Sequence, residues 1–353
     1  MPFFIAINRS MTSNKHKIDY AEFYITNVCN YACTNCRSFN NLNLKGFQKW
    51  ADCKDEYKKF AQRLDIEDIQ ILGGEPFLNP DIYYWIEGIL SLWPNARVKV
   101  TTNGSRRQDD KLYNLLIKHN GRLQLDVSCH DENYFDKLHN NIKEFLGNCD
   151  TKIISNKTSW NTDYEKFKGE DWPDQPPDIN IVEKLPWLMS ELDDLGIDLY
   201  RYKHKNKRIE YTVNNALYAI LGQAWNFSKS AVKVSHDKFY VDTKSDIGTA
   251  HKACISKYCH HFIDGKLYKC HLPYTLKEAI TQEHVAINEE DYKILERYKP
   301  LVADESEHKF DKFIKNIKNP IEQCKFCPES SEAEKISIVD KKKMDAKTSV
   351  LFT

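Results

Sequence analysis

Strand-like and helix-like runs alternate along residues 21–202, and no other feature of the chain narrows its fold as sharply. AEFYIT (21–26), IQIL (69–72), VKVTT (98–102), RLQLDVS (122–128), TKIIS (151–155) and IDLYRY (197–202) read as six strands, rich in β-branched and aromatic residues. Between the first two, residues 47–64 place Trp50, Cys53, Tyr57, Phe60, Ala61 and Leu64 on one helical face. Helices are predicted over 81–92, 109–119 and 131–146, the last with Tyr134, Leu138, Ile142 and Phe145 on its apolar side. Pro186 and Gly196 bracket a further helix over 186–195. Such alternation predicts parallel β/α units with right-handed crossovers. In such folds the chemistry sits at the carboxyl ends of the strands. The pattern then weakens, giving a helix over 213–224 and one or two strands within 232–243. From 251 the chain is rich in Cys and His. The expected division is an N-terminal extension (1–20), an α/β unit (21–210), a connector (211–250), a small Cys-rich domain (251–330) and a polar tail (331–353).

The chain has 353 residues, 41% of them hydrophobic, enough to bury a full core. Lys plus Arg and Asp plus Glu both number 51, so net charge draws it neither to nucleic acid nor to an anionic membrane. No apolar run in the sequence is long enough to span a bilayer, and residues 1–10 lack a signal-peptide layout. The expectation is a soluble, cytoplasmic protein. Eleven cysteines, an odd number, argue against a closed disulfide framework and for metal ligands or catalytic thiols. Cys29, Cys33 and Cys36 form one group, Cys254, Cys259 and Cys270 a second, and Cys324 and Cys327 a third. Cys53, Cys129 and Cys149 are scattered and read as small buried hydrophobes.

The first group, Cys29-x3-Cys33-x2-Cys36, follows the first strand. Three close thiolates can hold three irons of a cubane and leave the fourth open, as catalytic metal sites require. A zinc site is the alternative, with His16 or His130 as fourth ligand. The run ITNVCNYACTNC resembles the CxxxCxxC signature of the radical S-adenosylmethionine (radical SAM) superfamily. GGEP (73–76) resembles that family's segment at the methionine amino group, which assigns Gly73, Gly74 and Glu75 to the cofactor. TTNG (101–104) resembles the segment lining the nucleoside, with Asn103, and VSCHD (127–131) a cofactor-contacting segment, with Ser128. Asn35 stands where many members carry an aromatic residue before the last cysteine, and its expected contact is through backbone. The resemblance covers about residues 21–202. It implies a partial (β/α)6 barrel, a [4Fe-4S] cluster, S-adenosylmethionine, and an electron donor of low potential, of flavodoxin or ferredoxin type. It also implies reductive cleavage of the sulfonium to a 5′-deoxyadenosyl radical that takes a hydrogen atom from substrate.

On the fourth strand Leu123, Leu125, Val127 and Cys129 share one face, and Gln124, Asp126, Ser128 and His130 the other. The polar face should line the barrel, which makes Asp126 and His130 candidates for substrate contact or proton transfer, or for structural hydrogen bonding. Cys129 falls on the outer face and reads as a core residue. On the sixth strand either Arg201, a candidate carboxylate or phosphate binder, or Tyr200 and Tyr202 point inward.

FIDGKLY (262–268) predicts a hairpin that brings Cys254 and Cys270 together. With Cys324 and Cys327 they make four thiolates, enough for a closed cubane or a zinc ribbon. The spacing Cys254-x10-Gly265-x4-Cys270 followed by CxxC is similar to the auxiliary-cluster domain called SPASM, and to its one-cluster form, twitch. Cys259 is an alternative to Cys254 or a bystander, and His260, His261 and His271 are expected behind the ligands or at the surface. The resemblance implies an auxiliary [4Fe-4S] cluster accepting an electron in a net oxidation. Its substrates would be small alcohols, sugars or peptides. About twenty residues before the first strand leave no room for a leader-binding domain, which weakens the peptide-maturase reading. A non-catalytic iron–sulfur or zinc protein is the other alternative, against which GGEP and TTNG argue because neither holds a metal.

Overall fold

The computed structural model describes residues 15–106, 108–154 and 208–340, apart from 225, 229–231, 236–237, 242–244, 255, 331–332 and 336–337. Ten strands form one sheet: β1 (His16–Tyr24), β2 (Leu64–Leu72), β3 (Arg97–Thr102), β4 (Leu123–Cys129), β5 (Asp150–Ile154), β6 (Arg208–Val213), β7 (Ala216–Gln223), β8 (His260–Ile263), β9 (Lys266–Tyr268) and β10 (Leu301–Val302). Their order is β10-β9-β8-β1-β2-β3-β4-β7-β6-β5. The run from β8 to β7 is parallel, and antiparallel strands finish both edges. The sheet is open, a mixed α/β arrangement that accords with a partial barrel.

The two faces differ as strand parity demands. One carries Ala21, Phe23, Ile69, Ile71, Val98, Val100, Leu123, Leu125, Val127 and Cys129, all within the main core. That core also takes the apolar sides of α1 (Trp50–Arg63), α2 (Ile82–Leu92), α3 (Asp110–His119) and α4 (Phe135–Leu146). Each large side chain buried there is worth about 1.5–3 kcal/mol. The other face is polar: the register sets Glu22 beside Gln70, Gln70 beside Lys99, and Thr101 beside Asp126. Caps fix the helix starts, as where Asp109 Oδ1 accepts the Leu112 N–H at 3.0 Å to open α3.

Two sequence expectations change. Residues 213–224 are not a helix: Asn214 and Asn215, at φ 49° and 63°, make a two-residue turn from β6 into β7. A short apolar run such as ALYAIL does not by itself distinguish helix from buried strand, and the Asn-Asn turn decides it. Residues 151–154 of the expected strand are extended, but β5 lies at the far edge and antiparallel, and β7 takes the place beside β4. The helix and strand expected over 186–202, with Tyr200, Arg201 and Tyr202, lie outside the described residues.

The expected hairpin over 262–268 is present as β8 and β9, with Asp264 (φ 47°) and Gly265 (φ 70°) as its two-residue turn. It joins the main sheet: β8 pairs with β1, and the Phe23 and Phe262 rings stack at 4.7 Å. The sheet therefore runs across the boundary expected at 250. A second core gathers Phe39, Leu42 and Leu44 from the loop after Cys36 with Val241, Val285 and Phe326. It also takes Leu272, Leu276 and Ala279 of α6 (Leu272–Thr281) and Ile294 and Leu295 of α7 (Glu289–Arg297), with Cys270 and Cys327 packed against it. The helix preceding these, α5 (Ile247–Lys252), contacts the 3-10 turn Glu322–Phe326. Among the described residues no helix is long and apolar enough to cross a membrane.

Candidate functional site

The carboxyl ends of β1, β2 and β3 meet at Cys29. Gly74 N–H donates to Thr26 O and Glu75 N–H to Val28 O, both at 2.8 Å, so the GGEP segment lies directly on the backbone leading into the cysteine loop. A Cβ at Gly74 would stand 2.2 Å from Val28 O and 2.9 Å from Cys29 Cβ, and one at Gly73 2.5 Å from Thr26 O. Only glycine permits that approach. Glu75 is fully buried. It accepts from Phe77 N (3.1 Å) and Thr102 Oγ1 (2.8 Å) through Oε1, and from Asn103 N (2.8 Å) through Oε2. Burial raises its pKa, and these hydrogen bonds oppose that rise. An ionised carboxylate has about four lone-pair sites, so one acceptor position is left for a further donor.

Asn103 leans toward the cysteine loop, with Nδ2 3.9 Å from Cys29 Sγ and 3.0 Å from Asn30 Oδ1. Tyr31 N–H donates to Cys29 Sγ at 3.4 Å. Cys33 ends the short strand Tyr31–Cys33, which pairs with Ile338–Asp340. Asn35 takes the left-handed conformation (φ 59°) that turns the chain from Cys33 to Cys36. Cys36 Sγ lies 3.9 Å from Oδ1 of buried Asn40, whose Nδ2 donates to Tyr24 Oη (2.9 Å) and Asn27 O (2.7 Å). His16, the proposed zinc ligand, lies at the start of β1, opposite the cysteine loop, beside Glu307 and Asp311. His130 turns Nδ1 toward Ala224 O at 3.2 Å, and burial lowers its pKa.

Asp126 and Ser128 lie on the polar face of β4, and Ser128 is in register with Gly222 of β7. Asp126 is electrostatically coupled to Tyr20 and Lys99. Cys129 is buried and directs Sγ to Asp131 O at 3.1 Å, as its parity predicted. The sequence reading missed the row along this face. Thr101 Oγ1 bonds Gln70, Gln70 bonds the Tyr20 hydroxyl, Tyr20 donates to Glu22 Oε1 at 2.7 Å, and Glu22 pairs with His261. His261, 2% exposed, is not a surface residue; its ring is 4.9 Å from that of His271, which reaches Arg37 O at 3.2 Å. The signal was Glu22 within the otherwise apolar AEFYIT, an acid where a buried strand has no use for one.

Cys254 follows α5, Cys270 follows β9, and Cys324 and Cys327 lie on and just after the 3-10 turn that α5 contacts. Burial pushes the Cys270 thiol well up, and Cys327, Cys254 and Cys324 push it further. Burial and Cys254 raise Cys327 to about 12, and burial raises Cys324. The four half-buried thiols thus lie close enough for their charges to interact. Three orphaned polar atoms lie on this segment: Lys269 Nζ and His271 Nδ1, either side of Cys270, and His251 Nε2. Among the described residues no three His, Cys, Asp or Glu side chains form a group that could hold one metal ion. Four thiolates are a donor set that suits an iron–sulfur cluster or a zinc ion.

Residues 23–150 match the family model of the radical SAM superfamily. That stretch, about a third of the chain, is a radical SAM domain, the kind of domain that takes a [4Fe-4S] cluster with S-adenosylmethionine. It is similar to the GTP 3′,8-cyclase of Psychromonas ingrahamii, 27% identical over 186 residues, which are 52% of this chain and 48% of that one. It is also similar to the molybdenum cofactor biosynthesis protein moc-5 of Caenorhabditis elegans, 29% identical over 105 residues, 29% of this chain and 16% of that one. The chain spans about half the length, or less, of the curated relatives it matches. A solved structure of BtrN with AdoMet and 2-DOIA matches 33% of this chain and 47% of that chain at 20% identity and TM-score 0.28.

Proposed function

We propose that the chain is a radical SAM oxidoreductase that removes a hydrogen atom from a small polar substrate, with Cys29, Cys33 and Cys36 holding the catalytic cluster. A reduced cluster bound there would supply the electron for reductive cleavage of S-adenosylmethionine. The observation that carries this reading is the convergence of the GGEP backbone, the Glu75 carboxylate and the Asn103 amide on Cys29. Glu75 holds the ends of β2 and β3 together and keeps one acceptor position for the cofactor's amino group. Gly73 and Gly74 let backbone line that position, and Asn103, Ser128 and the Asn35 backbone would hold the nucleoside. The polar face below, with Glu22, Gln70, Thr101 and Asp126, offers hydrogen bonds to a hydroxyl-bearing substrate and a carboxylate to take its proton.

Supplied anaerobically with iron, sulfide, dithionite and S-adenosylmethionine, the chain is expected to release 5′-deoxyadenosine, and a Cys29/Cys33/Cys36 triple-Ala variant to release none. Equal release by the variant would sink the assignment.

Cys254, Cys270, Cys324 and Cys327 hold the auxiliary cluster in this reading, which would take the second electron of the oxidation. Cys254 is the fourth ligand in place of Cys259 because it shares the surroundings of the other three, whereas Cys259 hydrogen-bonds Glu22. Replacing Cys324 and Cys327 by Ala should cut iron from about eight to about four per chain, counting two cubanes. Unchanged iron would reject the auxiliary site.

The relatives named GTP 3′,8-cyclase supply a second reading, a nucleotide substrate. The buried carboxylate of Glu22 and the nearby Asp126 suit hydroxyl or amino groups better than a triphosphate. GTP consumed during single turnover would favour the second reading.

A further inference from the structure

Lys269 is 5% exposed, and its ammonium has no hydrogen-bond partner. Its place is fixed by the main chain: N–H donates to the Tyr298 hydroxyl at 2.7 Å, and the carbonyl pairs with His260 Nδ1 at 3.0 Å. Burial lowers its pKa, and the nearby thiols of Cys324, Cys270 and Cys254 push the other way. A buried, unpaired ammonium costs several kcal/mol, so a chain that keeps one keeps it opposite a negative charge. Neutral thiols do not provide that charge. A cubane on four thiolates does, since its net charge is negative in both working oxidation states.

Resting on the reading of Cys254, Cys270, Cys324 and Cys327 as an auxiliary cluster site, we infer that Lys269 is a positioning residue that sets the potential of that cluster. Its buried ammonium, without a hydrogen-bond partner and one residue from Cys270, stabilises the more negative, reduced state and so raises the reduction potential. A raised potential suits a centre that must accept an electron from a substrate radical.

The test is an anaerobic redox titration of the reconstituted full chain, followed by electron paramagnetic resonance, alongside iron content. Lys269→Met and Lys269→Gln remove the charge, and Lys269→Arg keeps it. The expected result is a negative shift of the auxiliary midpoint in both neutral variants, a near-native midpoint in Lys269→Arg, and an unmoved first cluster. Loss of the auxiliary cluster from both neutral variants but not from Lys269→Arg would be the same result in stronger form. An unmoved auxiliary midpoint in the neutral variants, with iron retained, overturns the inference, as does loss of the cluster from all three. A native chain that binds only the first cluster rejects the site itself, a failure visible in the iron content before any potential is measured.

Discussion

Gly74→Ala is expected to cost the chain its first cluster and to lower 5′-deoxyadenosine formation by on the order of 100-fold or more. The added methyl carbon would stand 2.2 Å from Val28 O, 2.5 Å from Val28 C and 2.9 Å from Cys29 Cβ. These neighbours are backbone and the root of a proposed ligand, so no flexible side chain can swing aside. Either β2 retreats, breaking the 2.8 Å bonds from Gly74 N to Thr26 O and from Glu75 N to Val28 O, or the Val28–Cys29 backbone moves. Both displace Cys29 relative to Glu75 and Asn103. The α1–α4 side of the sheet is untouched, so far-ultraviolet circular dichroism should stay near native while iron falls. A Gly74→Ala chain with full iron content and native 5′-deoxyadenosine yield would show that this close approach does not set the site.

Much of this site was legible in the sequence, because its parts are local. The cysteine spacing, the GGEP and TTNG segments and the Asp-Gly hairpin each encode a turn or close approach within a few residues. The parity of Leu123–Cys129 separated Cys129 from Asp126 and Ser128, and the packing follows it. What escaped the reading depends on partners far apart in the chain. His261 looked like one of several histidines near a cysteine group; only the pairing of β8 with β1, which sets His261 beside Glu22, makes it a buried partner. The β7 segment carries an apolar run that suits either regular structure, and its neighbours β4 and β6 select the strand. Lys269 was one lysine among many until its burial set it apart.

Glu22→Gln is expected to destabilise the chain by roughly 3 kcal/mol at pH 7, with a loss that shrinks as the solution is acidified. Burial alone would push the Glu22 carboxyl up, but the His261 charge and hydrogen bond, with the Tyr20 hydroxyl, outweigh it and hold the pKa at about 2, against an ordinary 4.5. A carboxyl whose pKa is depressed by folding stabilises the native state above its unfolded value, and that stability disappears as pH falls through the folded one. The contribution of Glu22 is therefore complete above about pH 4.5 and lost on the way to about pH 2. Glutamine keeps the shape but not the charge, and leaves the buried His261 facing an amide instead of a carboxylate. Urea unfolding of both chains at pH 7 and pH 3 reads the difference: a wide gap at pH 7 that narrows at pH 3. The comparison holds whatever acid does to the rest of the molecule, because both chains share it. A gap of equal width at both pH values would mean that shape, not the ion pair, is what Glu22 contributes, and the polar row from Thr101 to His261 would then be packing rather than a charged substrate face.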